Sequence, residues 1–578
     1  MVKYENMRIN LVFGFVLIIS CLIGYKLFTL SVLKHNLYSK TAEAQRDNIS
    51  NVLARGNIYI QPDLFLVAAN KKFPFAYVVP ADVPGEKRDD AIRQLSEILQ
   101  IDKQAIDPVF NSKTPTMKVL ARRISTSQVD KIKRLKIKGV GASYEMDRFY
   151  PGKEIAANVI GFFGYGGDTK SGQYGIESFY DNDLFGKSWR ANDYVNPANI
   201  TGSFNLLKKL ILGRSVEEKK IVSTIDRPSD IVLTIDKNIQ SIVERELDDV
   251  MKKWSATGGI VIVQDPNTGK ILAMASRPTF DPNNYKDFPT SNFLNPGVQE
   301  IFEPGSSYKP ITMAMGLDLG KVTPQMTFTD TGRKEIAGYT IRNFSEKVFG
   351  LQTMSQVLEK SINTGAMYVQ ELVGDENFLN YSINFGLGQK TGIDLPGEVS
   401  GDITNLYSGR KINYQTAAFG QGIAVTPIQL ITAYSAFANG GKLMRPYIVE
   451  KVIKEGGLEI VTKSEVMSMP LSEKTTTKIK SMLVSVVDNG FDKARIKGYD
   501  IAGKTGTAQI PDGKGGYSEN EFIHNFLGFA PAYDPKFVIL IKMDRPKGIT
   551  FAADSLSPVF RNIAAFLINY YKIPPTRQ

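Results

Sequence analysis

Phe302-Glu303-Pro304-Gly305 runs into Ser306-Ser307-Tyr308-Lys309-Pro310, and the reading of this passage decides the architecture of the chain. Four residues of turn material precede a stretch, 306–319, that reads as a helix closed by Gly320. A serine at a helix start has its hydroxyl beside unpaired backbone N–H groups and the positive end of the dipole, which favours developing negative charge. Lys309, three residues on, shares the face of Ser306 and lies within reach of that hydroxyl. Pro310 is tolerated because the first N–H groups of a helix lack intrahelical partners.

Two further patterns follow in order. Ser361-Ile362-Asn363 lies between two helical stretches, 355–360 and 365–373, where a polar connection can project a hydroxyl and an amide into a cleft. Lys504-Thr505-Gly506-Thr507 opens a strand-like run to Ile510, followed by a Pro511-Asp512-Gly513 turn and a second strand over 522–530. A strand edge presents alternate side chains and a free backbone N–H. Each pattern alone is weak. Ser-x-x-Lys recurs at Ser31 and Ser408, Ser-x-Asn at Ser203, Ser382 and Ser518, and Lys-Thr-Gly at Lys390. Context separates them. Ser31 borders an apolar segment, and Ser408 sits in a polar stretch without a turn-to-helix setting. Lys390 runs into Leu395-Pro396-Gly397, a loop, while Ser382 follows an amphipathic run carrying Phe378, Tyr381 and Phe385.

The residue types define the chemistry. A serine hydroxyl loses its proton as it attacks, so a neighbour must accept it. The chain has two histidines: His35 follows an apolar segment, and His524 precedes a strand-like run where a packed or solvated role is expected. There is no Gly-x-Ser-x-Gly elbow, and two distant histidines cannot form a His-Glu-x-x-His site, so neither a metal nor a cofactor is expected. A lysine titrates near ~10.4 and becomes a base at neutral pH only if burial or a second cation depresses it. Lys504 is the obvious second cation.

Ser-x-x-Lys, Ser-x-Asn and Lys-Thr-Gly in this order are the set known from penicillin-binding proteins and class A β-lactamases. The chain resembles class B penicillin-binding proteins, the peptidoglycan D,D-transpeptidases, over roughly residues 50–570. Val232-Leu233-Thr234-Ile235-Asp236, Asp265-Pro266-Asn267-Thr268-Gly269 and Gly420-Gln421-Gly422 with Val425-Thr426-Pro427 carry the likeness in the catalytic half. In that last segment Thr426, Pro427 and Gln429 also spell an N-cap, a first-turn proline and a capping box, with Asn439-Gly440-Gly441 as the stop. Upstream, Arg55-Gly56-Asn57-Ile58, Arg148-Phe149-Tyr150-Pro151, Gly175-Ile176-Glu177 and Leu184-Phe185-Gly186 look like pedestal motifs. One departure is Tyr59-Ile60-Gln61-Pro62, where the family often has Asp-Arg-Asn-Gly.

The resemblance implies an α/β chain with an N-terminal transmembrane helix, a mixed α/β pedestal and a transpeptidase domain built as an antiparallel sheet with helices on both faces. The expected divisions are a cytoplasmic tail at 1–8, an anchor at 9–30, a pedestal at 31–218, a linker at 219–230, the catalytic domain at 231–573 and a tail at 574–578. It implies that Ser306 attacks the penultimate D-Ala carbonyl of a stem peptide while Lys309 takes its proton. Ser361 and Lys504 would relay a proton to the departing D-Ala, and Asn363 would bond the substrate amide. Thr505, Gly506 and Thr507 are the implied substrate-binding residues, the two threonines holding the terminal carboxylate. The N–H groups of Ser306 and Thr507 would form the oxyanion hole. β-Lactams would acylate the same serine. Glu303-Pro304-Gly305, Gly420-Gln421-Gly422-Ile423 and Tyr150-Pro151 look more like division-type than elongation-type members, and division-type enzymes work with a multi-pass glycosyltransferase and other divisome proteins. The alternatives are an elongation-type transpeptidase, or a hydrolytic D,D-carboxypeptidase or β-lactamase.

The rest of the sequence fits this picture. Residues 9–28 are almost continuously apolar, and about 20 residues at 1.5 Å each span a ~30 Å hydrocarbon core. Lys3 and Arg8 place the first residues in the cytoplasm and the remainder outside the bacterial cell membrane. Cys21 is the single cysteine, so intrachain disulfides are excluded. The net charge of +11 could suggest nucleic acid, but the basic residues are interspersed with acidic ones and no basic-aromatic platform occurs. A basic surface facing anionic lipid or wall polymer is the expected use. In the pedestal, 84–100 reads as an amphipathic helix with Ile92, Leu95 and Leu99 on one face, and 164–167 and 181–186 read as loops.

Overall fold

The computed structural model describes residues 55–112, 116–166, 169–185, 228–511, 513 and 516–577. The expected cytoplasmic tail and membrane anchor, and most of the 219–230 linker, lie outside these residues. Among the described residues no helix is long and apolar enough to cross a membrane. Two compact units emerge, one from residues 70–147 and one from 55–69 with 148–577.

The centre of the larger unit is a five-stranded antiparallel sheet. Its strands are β1 (Gly258–Gln264), β2 (Ile271–Arg277), β3 (Ala502–Pro511), β4 (Tyr517–Ala530) and β5 (Phe537–Asp544), in the order β3-β4-β5-β1-β2. β1 and β5 carry unbroken runs such as Ile260-Val261-Ile262-Val263 and Val538-Ile539-Leu540-Ile541, all fully buried. A strand buried at every position has both faces covered, so alternation is absent. The covering helices are α1 (Lys237–Trp254), α2 (Lys309–Asp318), α3 (Asn363–Val373), α4 (Pro427–Ala438), α5 (Glu473–Ser485) and α6 (Ser557–Tyr570). α1 packs on α6 and over β1 and β2. α4 lies against β5, β1 and β4, and α5 lies against β3 and α2.

Local sequence explains why these elements stop and start where they do. α4 begins on the capping box read from sequence: Thr426 Oγ1 accepts from the Gln429 N–H, and the Gln429 side chain accepts from the Thr426 N–H. All twelve of its residues are buried, as expected for a helix that is apolar all round. β4 starts at Tyr517 rather than 522, because its first residues pair with the end of β3 and extend the hairpin. Asp230, placed in the linker from sequence, opens the strand Asp230–Asp236.

A second sheet in the same unit orders Glu459–Val461, Val449–Ile453, Asp230–Asp236, Ile58–Gln61 and the start of Phe65–Val78. The departing Tyr59-Ile60-Gln61-Pro62 segment therefore forms most of a strand, and Asp63 and Leu64 turn it at positive φ into the next. Three pedestal motifs meet nearby. Arg55 Nε lies 2.6 Å from one Glu177 oxygen, Arg148 Nε lies 2.7 Å from the other, and all three side chains are buried. Burial alone would raise the Glu177 carboxyl, but Arg148 and Arg55 override it and hold it below its ordinary value. The described parts of the two stretches read as loops are regular instead: Phe162–Gly166 is a strand that pairs antiparallel with Thr169–Gln173, and Asp181–Phe185 is a short helix. Glycines made the first look irregular, yet Gly164 pairs with Ser171 and Gly172 with Phe163 across a regular ladder.

In the smaller unit the later part of Phe65–Val78 pairs with Lys118–Arg122 and with Val140–Phe149. Helices Arg88–Leu99, Lys103–Asn111 and Thr126–Leu135 bury Ile92, Leu95, Leu99, Ile106, Phe110, Val129 and Ile132 in its core. The stripe of Ile92, Leu95 and Leu99 is the one expected from sequence, on a helix that starts at Arg88 after a turn of 3-10 helix over Gly85–Lys87.

Candidate active site

Ser306 sits in one turn of 3-10 helix, Gly305–Tyr308, which continues directly into α2. The turn is fixed by close backbone approach on two sides. The Gly305 N–H donates to the Gly420 carbonyl at 3.1 Å, and a Cβ on Gly420 would lie 2.2 Å from the Gly305 carbonyl oxygen. A Cβ on Gly506 would lie 2.6 Å from the Pro304 carbonyl oxygen. Glycine at 420 and 506 is therefore what lets the neighbouring segments clamp the serine turn. Glu303 adds a side-chain tie, accepting from the Gly422 N–H at 2.9 Å and from the Tyr517 hydroxyl at 3.0 Å. The buried Tyr434 hydroxyl donates to the Ser307 carbonyl.

Ser361 follows the short helix Met354–Glu359 in a left-handed conformation, φ 55°. Its N–H donates to Leu358 O and the next N–H to Val357 O, so it closes that helix at a position where glycine is usual. A left-handed non-glycine residue costs on the order of 1–2 kcal/mol, and here that strain falls on a side chain in the cleft. Asn363 opens α3, with its Nδ2 donating to Arg342 O at 3.0 Å. β3 is the edge strand of the sheet. Thr505, Thr507 and Gln509 alternate along it into the cleft, while Gly506 is buried against Pro304 and Asn525. Thr507 Oγ1 also accepts from the Ala552 N–H at 3.1 Å.

The tertiary structure brings the polar groups to one point. Lys309 Nζ bonds the Ser361 carbonyl, Ser361 Oγ at 3.2 Å and Asn363 Oδ1 at 2.7 Å. Lys504 Nζ reaches the same Ser361 Oγ at 3.2 Å. Both lysines are essentially inaccessible to solvent (1% and 0% exposed), and no carboxylate pairs with either among the described residues. Burial, with Lys504 adding to it, pushes Lys309 well below the ordinary lysine value, and burial brings Lys504 to about 7. Neutral Lys309 has two N–H bonds for Ser361 O and Asn363 Oδ1 and a lone pair left to take a hydroxyl proton. Ser306, Ser361, Asn363, Thr505 and Thr507 line one cleft of about 750 Å³ together with Phe344, Phe419, Gln421, Phe491 and Phe551.

The look-alike motifs at Ser382, Lys390 and Ser408 lie elsewhere, and those at Ser31 and Ser203 fall outside the described residues. Ser382 is buried in the helix Asp375–Asn384, its hydroxyl 3.0 Å from the Tyr308 hydroxyl. Lys390 lies in a loop where Thr391 bonds Glu398. Ser408 differs from its reading: it does end a 3-10 turn just before a helix, Lys411–Ala417. Its partner Lys411 is exposed, however, and its hydroxyl donates to Asn405 O. His524 is buried within β4, with Nδ1 2.8 Å from Ser555 Oγ and Nε2 3.1 Å from Thr550 O, and burial holds it near 4. The described residues contain no cluster suited to a metal ion.

Some supporting residues carry no sequence signal. The buried Asp330 accepts from Thr364 Oγ1, Asn343 Nδ2, and the N–H groups of Gly332 and Phe349. It thereby ties the turn beside Asn363 to the 343–349 loop that walls the cleft. Nothing in the local pattern links positions 330, 343 and 364.

Residues 259–565 match the penicillin binding protein transpeptidase domain, and residues 51–201 match the penicillin-binding protein dimerisation domain. The chain is 35% identical over 565 residues to Stage V sporulation protein D of Bacillus subtilis, covering 96% of this chain and 84% of that one. It is 29% identical over 498 residues to the peptidoglycan D,D-transpeptidase FtsI of Escherichia coli, covering 86% and 79%. A solved structure of penicillin binding protein 3 from Mycobacterium tuberculosis, complexed with aztreonam, aligns with a TM-score of 0.67 at 25% identity over 90% of this chain and 97% of that one. With the lysine-serine cluster and both family domains in one chain, the protein belongs to the penicillin-binding protein transpeptidases, in class B and of the septal type.

Proposed function

We propose that the chain is a serine D,D-transpeptidase that crosslinks peptidoglycan stem peptides through an acyl-enzyme on Ser306, in septal wall synthesis. The observation that carries this is the pair of buried, charge-depressed lysines sharing Ser361 Oγ in the cleft that holds Ser306. Ser306 Oγ gives its proton to Lys309 Nζ and attacks the penultimate D-Ala carbonyl. The oxyanion is held by the N–H groups of Ser306 and Thr507, each such donor contributing about 3–4 kcal/mol. Collapse breaks the peptide bond, and Lys504 protonates the leaving D-Ala nitrogen through Ser361. Asn363 bonds the substrate amide, Thr505 and Thr507 hold the terminal carboxylate, and Gly506 keeps the strand that carries them against the serine turn. An amine of a second stem peptide then attacks the ester. A β-lactam acylates the same oxygen, and its ring-opened product stays attached.

In this reading residues 9–30 anchor the protein in the bacterial cell membrane with 1–8 in the cytoplasm. Residues 31–218 serve as pedestal, 219–230 as linker and 231–573 as catalytic domain outside the membrane, with 574–578 as tail. A multi-pass glycosyltransferase and other divisome proteins are its partners. The similarity to a sporulation protein supports a second reading, a septum made during sporulation. A fluorescent fusion followed through growth and sporulation separates the two by when it reaches a septum. The test of the chemistry is labelling of the full chain by fluorescent penicillin with tryptic mapping. The adduct falls on Ser306, and Ser306→Ala loses it while still folding. An adduct on Ser361 or Ser408 overturns the assignment.

A further inference from the structure

Residues 573–577 lie outside the cleft and touch none of its groups, yet they fasten two pieces of its wall. Arg577 makes a two-pronged contact with Asp488, Nη1 to Oδ1 at 3.0 Å and Nη2 to Oδ2 at 2.7 Å, and its Nε donates to Asp500 Oδ1. The backbone joins in. The Thr576 and Arg577 N–H groups both donate to Gly498 O, at 2.9 and 3.0 Å. The Asp500 N–H donates to Thr576 Oγ1 at 2.8 Å, and the Tyr499 hydroxyl donates to Ile573 O at 2.9 Å. One guanidinium thus spans two carboxylates that are 12 residues apart in sequence.

Each carboxylate leads to a cleft group. Asp488 belongs to a π-helical turn, Val486–Gly490, whose last residues and the following Phe491 line the cleft. A π turn is a rare departure from α-helical geometry that recurs at functional sites. Asp500 stands two residues before β3 and four before Lys504. The two arms converge on each other: the Phe491 ring lies 5.3 Å from Lys504 Nζ, within the range of a cation–π contact. Phe491 lines the cleft and is itself only 8% exposed, while Lys504 beside it is fully buried.

We infer that Arg577 is a positioning residue: by bridging Asp488 and Asp500 it fixes Phe491 against Lys504 and so sets the dryness and aim of that lysine. The inference rests on the proposed role of Lys504 in proton transfer. Arg577 is suited to the task because its planar fork binds one carboxylate with two parallel bonds and still has Nε for the other. A lysine could be a point charge for one of them only.

The experiment follows acylation of the full-length, detergent-solubilised protein by fluorescent penicillin from pH 5.5 to 9. Variants are Arg577→Ala, Arg577→Lys, Asp488→Asn and Lys504→Ala. Loss of the clamp hydrates Lys504, so in Arg577→Ala the limb of the pH–rate profile near 7 moves up by about half a unit or more. The rate at pH 7 falls about tenfold, less than the ~100-fold of a 1 Å misplacement in the reacting groups. Added guanidinium ion restores both, and Arg577→Lys restores neither fully. Asp488→Asn, which preserves size, reproduces the shift and serves if Arg577→Ala does not fold. A rate within twofold of wild type, or a slower rate with the limb unmoved and no response to guanidinium, overturns the inference. If instead Lys504→Ala acylates normally, the role given to Lys504 is what fails, whatever Arg577 does.

Discussion

Replacing Gly506 by alanine perturbs the active site without touching any group that reacts. Gly506 lies on β3 between the two threonines that face the cleft, and its Cα faces the turn that carries Ser306. An added Cβ would stand 2.6 Å from the Pro304 carbonyl oxygen and 2.5 Å from Asn525 Oδ1. Ordinary contact begins near 3.4 Å, so the gap to Pro304 must widen by about 0.8 Å (3.4 − 2.6). Asn525 can rotate, but a backbone oxygen cannot, and the Pro304 carbonyl is also the acceptor for Ser307 Oγ and Asn525 Nδ2. The displacement therefore passes into a turn whose serine is two residues away. Misplacing a reacting group by ~1 Å costs on the order of 100-fold in rate. Overpacking of this kind costs about 1–3 kcal/mol in stability. The expected result is a second-order acylation rate by fluorescent penicillin reduced roughly 30- to 100-fold, with a small drop in melting temperature. The control is Gly85→Ala, where an added Cβ meets nothing within 4 Å. If Gly506→Ala acylates within threefold of wild type with the adduct on Ser306, the clamped-turn argument is refuted.

Three other outcomes are expected. Lys309→Arg should be almost inert in acylation, because a guanidinium cannot deprotonate in this pH range, and a rate within tenfold of wild type would exclude Lys309 as the base. His524 is held near 4 against an ordinary 6.5, so the unfolded chain binds more protons in that interval and stability falls as pH drops through it. The wild-type melting temperature should decline more steeply from pH 6.5 to 4 than that of His524→Gln, and equal slopes would contradict the assignment. The same sign applies to Lys504, whose depressed value makes stability rise with pH between about 7 and its ordinary 10.5. Finally, Glu376 in Glu376-Asn377-Phe378-Leu379-Asn380 resembles a deacylating glutamate in pattern but is exposed on the helix Asp375–Asn384, with Phe378 buried beneath it. Glu376→Ala should leave the lifetime of the penicilloyl adduct unchanged, whereas a tenfold longer lifetime would make the chain a hydrolase.

Much of the site was legible in the sequence because its chemistry is carried by short contiguous patterns. Ser306 and Lys309 stand three positions apart where the serine turn runs into α2, and the α4 capping box is complete within four residues. The hairpin of β3 and β4 was visible from its turn, although its second strand was read too short. The glycines of 164–167 misled for the opposite reason: glycine marks loops on average, and only the ladder between Phe162–Gly166 and Thr169–Gln173 gives Gly164 and Gly166 a regular place. Ser408 also shows the limit, since a turn before a helix does not make a nucleophile when its lysine faces solvent.

What the sequence by itself determined is a short set of candidate reacting groups: one serine, two lysines, a second serine and an asparagine, in an order that points to lysine-assisted acyl transfer. What only the tertiary structure decided is their state. Lys309 and Lys504 are separated by 195 positions (504 − 309) and carry no mark of burial in their local sequence. Their charge is suppressed because α2, the turn at Ser361 and the edge strand β3 close around them and exclude water. The same holds for Asp330, Asn343, Thr364 and the Arg577 clamp. Hydrogen bonding acts over about 3 Å, while the residues it joins here are tens of positions apart. Only the packed chain brings them within that distance.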